Sequence, residues 1–192
     1  MSDMDEGPRA RLLDTLDVLS ETENVLDIGI NRLLSEADVA KASLYAHFGS
    51  KDALIAAWLD KRQDEWFGWF DEHLACHATS CEPRAELDAA FGFLETWLAR
   101  DDFAGCPFVT IYLQLRDPEH PAGRRARSYA TRIHDFFHER LLRLEARRPG
   151  ELAAALLELF LGAIVVEQLV AGVYPARSAR RGAKALMDQA IC

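Results

Sequence analysis

The sequence predicts an all-α protein of 192 residues, and three observations lead to that prediction. The seven prolines fall between apolar periodic stretches, and a helix tolerates proline in its first turn. The stretches between the prolines are rich in Ala, Leu, Glu and Arg, which favour helix. No run of alternating β-branched residues indicates a strand. We therefore expect nine helices, at about residues 9–20, 30–37, 40–47, 51–75, 83–100, 107–115, 122–145, 150–171 and 176–190.

The first four helices carry clear boundary residues. The first has one apolar face, formed by Leu12, Leu13, Leu16 and Leu19. A tight turn at Asp38 is expected to join the second helix to the third. Gly49 closes the third helix, and Ser50 caps the long fourth helix, because a serine side chain accepts hydrogen bonds from the backbone of a first turn.

The eighth helix is apolar on more than one face. Its apolar residues include Leu152, Leu156, Leu159, Phe160, Ala163, Ile164, Leu169 and Val170. Such a helix needs cover from its own core and from something else, so we expect a homodimer formed through the last two helices. We expect no membrane span, because Glu158 and Glu167 leave an apolar run of only residues 159–166.

Composition narrows the class of protein. Hydrophobic residues make up 49% and charged residues 28%, which is typical of a globular chain. The net charge of −9 argues against coating nucleic acid or membranes by bulk charge, but it permits a local DNA-binding surface. The first eight residues lack the basic and apolar regions of a signal peptide, so we expect a cytoplasmic protein with reduced cysteines.

Two short helices joined by a few residues, within residues 30–54, predict a helix-turn-helix. Leu44 and Phe48 lie four residues apart and are expected to fix the third helix to the core. The outward N-terminal turn of that helix, the part that enters the major groove in such motifs, then carries Lys41, Ala42 and Ser43.

Residues 37–54 read ADVAKASLYAHFGSKDAL, and this segment resembles the TetR family of bacterial transcriptional regulators. The resemblance implies a nine-helix TetR-like architecture, with a helix-turn-helix DNA-binding domain at 1–50 and a helical ligand-binding and dimerisation domain at 51–192. It also implies that Lys41, Ala42 and Ser43 face base edges, whereas Tyr45, His47 and Lys51 contact phosphates. Arg32 is a further cation expected near the DNA.

The segment departs from the family pattern at three positions. Asp38 replaces the usual turn glycine, Ala40 cannot cap the third helix, and Ala42 replaces a second glycine. Residues 1–75 also contain seven Lys or Arg and 16 Asp or Glu. Their formal charge of −9 is as large as the net charge of the whole chain. An alternative is therefore a TetR-fold module that binds a ligand or a protein and has lost DNA binding.

Several histidines and cysteines are candidates for a metal site or a redox site. His73, His77 and Cys81 could hold a metal, but their spacing matches no standard cluster and we expect no metal. Cys106 precedes a helix start, so it could be a redox-sensing thiol, although a small buried residue is the favoured interpretation.

The family resemblance implies an internal pocket that binds a small-molecule inducer. Aromatic candidates for its lining are Trp58, Trp66, Phe70, Phe91, Trp97, Phe108, Tyr112 and Phe137. No catalytic or dinucleotide-binding motif is present, so we expect neither an enzyme nor a cofactor. The predicted function is ligand-responsive transcriptional regulation: a dimer, more often a repressor, binds a palindromic operator in double-stranded DNA and is released by an inducer.

Overall fold

The computed structural model describes residues 7–78, 82–115, 117, 119–170 and 173–191, and these ranges contain nine α-helices and no strand. The helices are α1 (Pro8–Ser20), α2 (Ile30–Glu36), α3 (Lys41–Phe48), α4 (Lys51–His77), α5 (Pro83–Leu98), α6 (Pro107–Gln114), α7 (Pro121–Arg143), α8 (Pro149–Leu169) and α9 (Pro175–Ala190). The predicted all-α class is confirmed, and every predicted helix end lies within two residues of the observed one.

The predicted boundary residues act as their chemistry suggests. Six of the nine helices begin at a proline, whose missing N–H costs nothing in a first turn. Gly49 ends α3 with φ of +76°, a backbone conformation that glycine adopts without strain. Ser50 caps α4, because the backbone N–H of Ala53 donates a 3.0 Å hydrogen bond to its Oγ.

The chain divides into two compact units. Unit 1 comprises the residues up to Gln63 together with Thr110–Arg127, and in it α1 packs against α2 and α3. Its core is built from leucines at helical spacing, each at most 1% exposed: Leu12, Leu16, Leu33, Leu44 and Leu54. Apolar residues spaced about one turn apart on α1 therefore pack against both helices of the predicted helix-turn-helix.

Unit 2 comprises Asp64–Val109 together with the residues from Ser128 onward. Within it α5, α8 and α9 pack against one another. Its core is dominated by aromatic side chains, among them the fully buried Phe91, Phe137 and Phe160. The two units are defined by compactness alone. The predicted division into a DNA-binding domain at 1–50 and a ligand-binding domain at 51–192 therefore remains a prediction.

Candidate functional site

The turn before α3 has a strained but anchored backbone. Asp38 lies in the left-handed region with φ of +50°, as its replacement of the usual glycine requires. The backbone N–H of Val39 donates to the carbonyl of Leu34 at 3.1 Å, and the side chain of Val39 is buried. The hydrogen bond from Val39 to Leu34 and the buried Val39 side chain therefore anchor the turn at its C-terminal end.

Helix α3 presents a polar outer face, which we call the recognition surface. Leu44 is fully buried, so it fixes which side of α3 faces the core of unit 1. No side-chain cap precedes α3, in agreement with an alanine at position 40. The recognition surface consists of the exposed residues Lys41, Ala42, Tyr45 and His47, with Ser43 partly exposed beside them. The short side chain of Ala42 lies between longer ones, so the helix start can approach a flat surface closely.

Two of the predicted DNA contacts have partners within unit 1. Arg32 pairs with Glu23 through an Nη1–Oε1 distance of 2.5 Å and with Glu36 through an Nε–Oε1 distance of 2.7 Å. Its hydrogen bonds to Glu23 and then Glu36 raise the pKa of Arg32. Lys51 Nζ donates to the backbone carbonyl of Leu26 at 2.6 Å. Glu36 lies four residues after Arg32, a spacing that brings side chains together on a helix, whereas sequence spacing did not indicate the contacts with Glu23 and Leu26. The contact of Lys51 occupies a donor that the resemblance assigns to a phosphate.

The acidic residues of α1 fasten that helix to α4. Lys61 Nζ lies 2.7 Å from Asp14 Oδ1, and Arg62 Nε lies 2.9 Å from Asp17 Oδ1. Asp17 Oδ1 also accepts a 2.8 Å hydrogen bond from the indole N–H of Trp58. Part of the acidic excess in the N-terminal half is thus used for packing inside unit 1.

Unit 2 contains a connected group of aromatic rings, which we call the aromatic cluster. Its members are Trp66, Phe67, Phe70, Phe91, Phe93, Trp97, Phe103, Phe108, Tyr129, Phe136, Phe137 and Phe160. Trp66 is its centre, with six neighbouring ring centroids at 4.8 to 6.3 Å. Phe108 stacks on Tyr129 at 4.2 Å with only 7° between the ring planes. Edge-to-face and stacked contacts of this kind are favourable ring geometries.

Two polar atoms of the aromatic cluster are buried without a hydrogen bond. They are the indole N–H of Trp66 and the hydroxyl of Tyr129. Trp66 is 5% exposed and Tyr129 is 1% exposed. Burial raises the pKa of the Tyr129 hydroxyl, with a smaller contribution from the neighbouring Cys106 thiol. Buried donors without acceptors cost free energy and mark a place that an acceptor would complete.

The structure separates the eight predicted pocket residues into two sets. Six belong to the aromatic cluster: Trp66, Phe70, Phe91, Trp97, Phe108 and Phe137. Trp58 and Tyr112 belong to unit 1. Trp58 is used in packing through Asp17, and Tyr112 is 44% exposed with the Arg127 guanidinium over its ring. We therefore leave these two out of the candidate pocket.

The predicted pocket residues do not include six members of the aromatic cluster, namely Phe67, Phe93, Phe103, Tyr129, Phe136 and Phe160. One pattern could have found Tyr129: it lies four and eight residues before Ile133 and Phe137, and all three are buried. Their shared helix face was visible in the sequence, but the missing hydrogen-bond partner of Tyr129 was not.

The Cys106 thiol is buried in unit 2, which agrees with the favoured interpretation. Burial raises its pKa to about 11, although backbone N–H groups of Val109 and Phe108 and the Tyr129 hydroxyl oppose that shift. A thiol that stays protonated near neutral pH is a poor nucleophile, so the structure does not support the redox-sensing alternative.

The predicted weak metal candidates do not form a ligand set in the described ranges. The rings of His73 and His77 stack at 4.0 Å, but no group of three His, Cys, Asp or Glu side chains suited to a metal occurs among the described residues. Cys81 lies outside those residues. Burial, followed by the neighbouring His77 and Arg180, lowers the pKa of His73, and the nearby guanidinium also opposes a bound cation.

Helix α8 has one buried and one exposed apolar side. Leu152, Leu156, Phe160, Ala163 and Ile164 belong to the core of unit 2. Val166, Leu169 and Val170 are exposed, Leu169 by 75%. By length and composition alone α8 could cross a membrane, but that is weak support, and 33% of its most apolar 18-residue window is buried within the protein.

Comparison with known proteins agrees with the fold and with the helix-turn-helix segment. Residues 26–58 match the family model for bacterial regulatory proteins of the tetR family. A putative TetR transcriptional regulator from Streptomyces avermitilis is 28% identical, with a TM-score of 0.74 over 93% of this chain and 99% of that one. A TetR-family transcriptional regulator from Streptomyces coelicolor is 24% identical, with a TM-score of 0.81 over 96% of each chain.

A third structure carries a ligand. It is the multidrug binding protein EbrR in complex with malachite green. EbrR is 22% identical to this chain, with a TM-score of 0.70 over 93% of this chain and 97% of that one. No curated protein matches the chain. Residues 26–58 therefore resemble the helix-turn-helix segment of the tetR family, and the chain has the fold of solved TetR-family transcriptional regulators.

Proposed function

We propose that the protein is a ligand-responsive transcriptional repressor that binds a palindromic operator as a homodimer and is released by a small-molecule inducer. One observation carries this proposal: the recognition surface lies on the second helix of a helix-turn-helix whose sequence matches the TetR family. The first turn of α3 offers a cation, a short side chain and a hydroxyl, namely Lys41, Ala42 and Ser43. These groups suit contact with base edges in a major groove.

The phosphate contacts are proposed on either side of that turn. Tyr45 and His47 are exposed on α3 and can donate to phosphate oxygens. Lys51 uses one of its three ammonium donors on the carbonyl of Leu26, which leaves donors for a phosphate and holds its long side chain in place. Arg32 contributes only if DNA displaces Glu23 and Glu36, so we assign it the weakest role.

The dimer is proposed to form through the exposed apolar side of α8 together with α9. Val166 and Leu169 at the end of α8 and Val170 directly after it are exposed. The side chains already buried within unit 2 are Leu152, Leu156, Phe160, Ala163 and Ile164. A second copy of the chain across a two-fold axis would cover the exposed side and place two recognition surfaces on one palindrome.

The inducer is proposed to bind in unit 2, in the aromatic cluster. EbrR, which shares the fold, was crystallised with malachite green. A ligand can release the operator only if it binds the DNA-incompetent conformation more tightly than the competent one. We infer neither catalysis nor a cofactor, and we place the protein in the cytoplasm.

A second candidate function is that of a module with the same fold that binds a ligand or a protein and has lost DNA binding. The observation that favours it is the acidic excess of residues 1–75 together with the ion pairs that occupy Arg32. Phosphates would meet fewer available cations than the sequence contains.

A titration of labelled DNA separates the two functions. The duplex spans the promoter of the protein's own gene, and a base-shuffled duplex of equal length is the control. Repression predicts that the promoter duplex binds at least about 1000-fold more tightly than the shuffled one. Equal and weak binding of both duplexes would favour the module without DNA binding.

A further inference from the structure

We propose that the aromatic cluster binds an uncharged, flat aromatic compound whose hydrogen-bond acceptor, such as a ring carbonyl, takes the N–H of Trp66 and the O–H of Tyr129. This inference rests on the proposed inducer site in unit 2 and names the chemical class of its ligand. Three features of the described residues support it in turn: the two donors, the lack of buried charge and the planar surroundings.

The two donors are buried and close together. The ring centroids of Trp66 and Tyr129 lie 5.0 Å apart, and neither polar atom makes a hydrogen bond within the described residues. The Cys106 thiol near Tyr129 is at most a weak acceptor. A carbonyl oxygen has two lone pairs, so one such atom can accept from both donors. The ligand therefore needs an acceptor, whereas a donor would remain unpaired.

The surroundings disfavour a charged ligand. Among the described residues no charged or polar residue is classed as buried. The acidic side chains on α5 of unit 2 are paired with arginines: Glu86 lies 2.8 Å from Arg140, and Asp88 lies 2.6 Å from Arg180. The guanidinium groups of Arg132 and Arg140 lie over the rings of Phe67 and Phe136, and neither of these two rings carries one of the two unpaired donors. A charge buried beside the Trp66 and Tyr129 donors would therefore meet rings and neutral donors first.

The surroundings favour a flat ligand. Phe108 and Tyr129 are within 7° of parallel, and Trp66 and Phe70 are within 12°. Because these rings already stack on each other, a planar compound can stack between them only where one ring of a pair moves aside, and its acceptor then meets the two donors at the ring edges. Trp97 and Phe103, in contact at 5.4 Å, are partly exposed and give the cluster an edge toward solvent.

A matched set of probes tests the proposal on the full chain. Fluorenone is flat, uncharged and carries a ring carbonyl; fluorene has the same skeleton without the carbonyl; fluorenone-2-carboxylate adds a negative charge. Calorimetric titration should show fluorenone binding about tenfold more tightly than fluorene, since one or two hydrogen bonds are gained. The carboxylate should bind at least about tenfold more weakly than fluorenone.

Two variants remove one donor each and keep an aromatic side chain at the position: Trp66→Phe, which also makes the ring smaller, and Tyr129→Phe. Each should cut the preference for fluorenone over fluorene to about threefold, and the double variant should abolish it. The matched controls are Trp69→Phe and Tyr174→Phe, which make the same chemical changes at exposed side chains and should keep the full preference. Circular dichroism of every variant checks that it is folded.

Three results would overturn the proposal: equal affinities for fluorenone and fluorene, a preference that survives in the double variant, or no binding of either probe. Promoter-duplex binding is measured on the same samples. If the duplex binds while any of these results is found, the ligand class is wrong and the repressor function stands. If the duplex fails as well, the proposed function falls too.

Discussion

Two tryptophans on α4, one in each unit, differ in whether their buried N–H groups have a hydrogen-bond acceptor. Trp58 in unit 1 is 1% exposed, and its indole N–H donates to Asp17. Trp66 in unit 2 is 5% exposed, and its indole N–H has no hydrogen-bond partner. The residues are eight positions apart in sequence and have the same side chain, so their difference lies in their surroundings. The indole N–H of Trp58 has an acceptor in unit 1, whereas the indole N–H of Trp66 in unit 2 has none among the described residues.

The hydrogen-bond partner of a tryptophan distinguishes a packing residue from a candidate ligand-binding residue better than its aromatic character does. Both tryptophans were predicted to line the pocket because both are aromatic and lie at helical spacing. Only the hydrogen-bond partners distinguish them: an indole fastened to a carboxylate holds α1 against α4, and an indole without a partner invites an acceptor.

The largest expected effect is the loss of Asp17. Asp17→Ala removes the acceptor of the Trp58 N–H and the partner of Arg62, which leaves a buried donor unpaired. We expect the free energy of unfolding to fall by roughly 2–3 kcal/mol in urea denaturation. Asp17→Asn keeps an oxygen acceptor and is the matched control, with an expected loss of less than half as much. Equal losses would show that the charge, and not the hydrogen bond, holds α1.

Next comes the matched pair of tryptophan variants. Both substitutions remove the same buried ring volume, but only Trp58→Phe also loses a hydrogen bond to a carboxylate. Trp58→Phe should therefore lower the free energy of unfolding by about 1–2 kcal/mol more than Trp66→Phe, whose N–H had no partner. Thermal and urea unfolding measure both. A larger loss for Trp66→Phe than for Trp58→Phe would reverse the comparison.

A smaller effect should appear at alkaline pH. Burial raises the pKa of Cys106 to about 11 from 9.0, so the unfolded chain releases this proton before the folded chain does. Stability from this group is therefore full below about pH 9 and declines as the pH rises toward 11. At pH 10 wild type should have lost about 1 kcal/mol more of its pH 8 stability than Cys106→Ala loses. Parallel pH profiles of the two proteins would contradict a buried neutral thiol.

The smallest expected effect concerns the ion pairs of Arg32. The double variant Glu23→Gln, Glu36→Gln removes both carboxylate partners and frees the guanidinium for a phosphate. For a dimer the slope of log affinity against log salt should then steepen by about 2. The ratio of affinities at 0.1 M and 0.2 M salt would change by about threefold. An unchanged slope would mean that Arg32 already reaches the DNA in wild type, or lies away from it.

The sequence predicted local features well because they depend on near neighbours. Helix ends followed from proline, Gly49 and Ser50, and the left-handed turn at Asp38 followed from the missing glycine. The helix-turn-helix followed from a dense segment match that the family model also covers. These features are set within about one turn of helix, where spacing determines contact.

Partners far apart in sequence could not be predicted. Trp58 meets Asp17 across 41 positions, and Lys51 meets the carbonyl of Leu26 across 25. Helical spacing tells which face a residue occupies but not what lies opposite. For the same reason helical spacing alone does not indicate that Tyr129 joins Trp66 in the aromatic cluster, or that Tyr112 is exposed.

The most direct test of the account is the affinity of one substituted recognition surface for DNA. Lys41→Ala removes an exposed cation from the first turn of α3, and Lys184→Ala makes the same change on α9, outside the recognition surface. Fluorescence anisotropy with promoter duplexes carrying single base changes compares the two at one salt concentration. We expect Lys41→Ala to bind at least about tenfold more weakly and to lose discrimination at one base pair, while Lys184→Ala behaves as wild type. Equal affinities of wild type and both variants for every duplex would contradict the assignment of α3 as the DNA-binding helix.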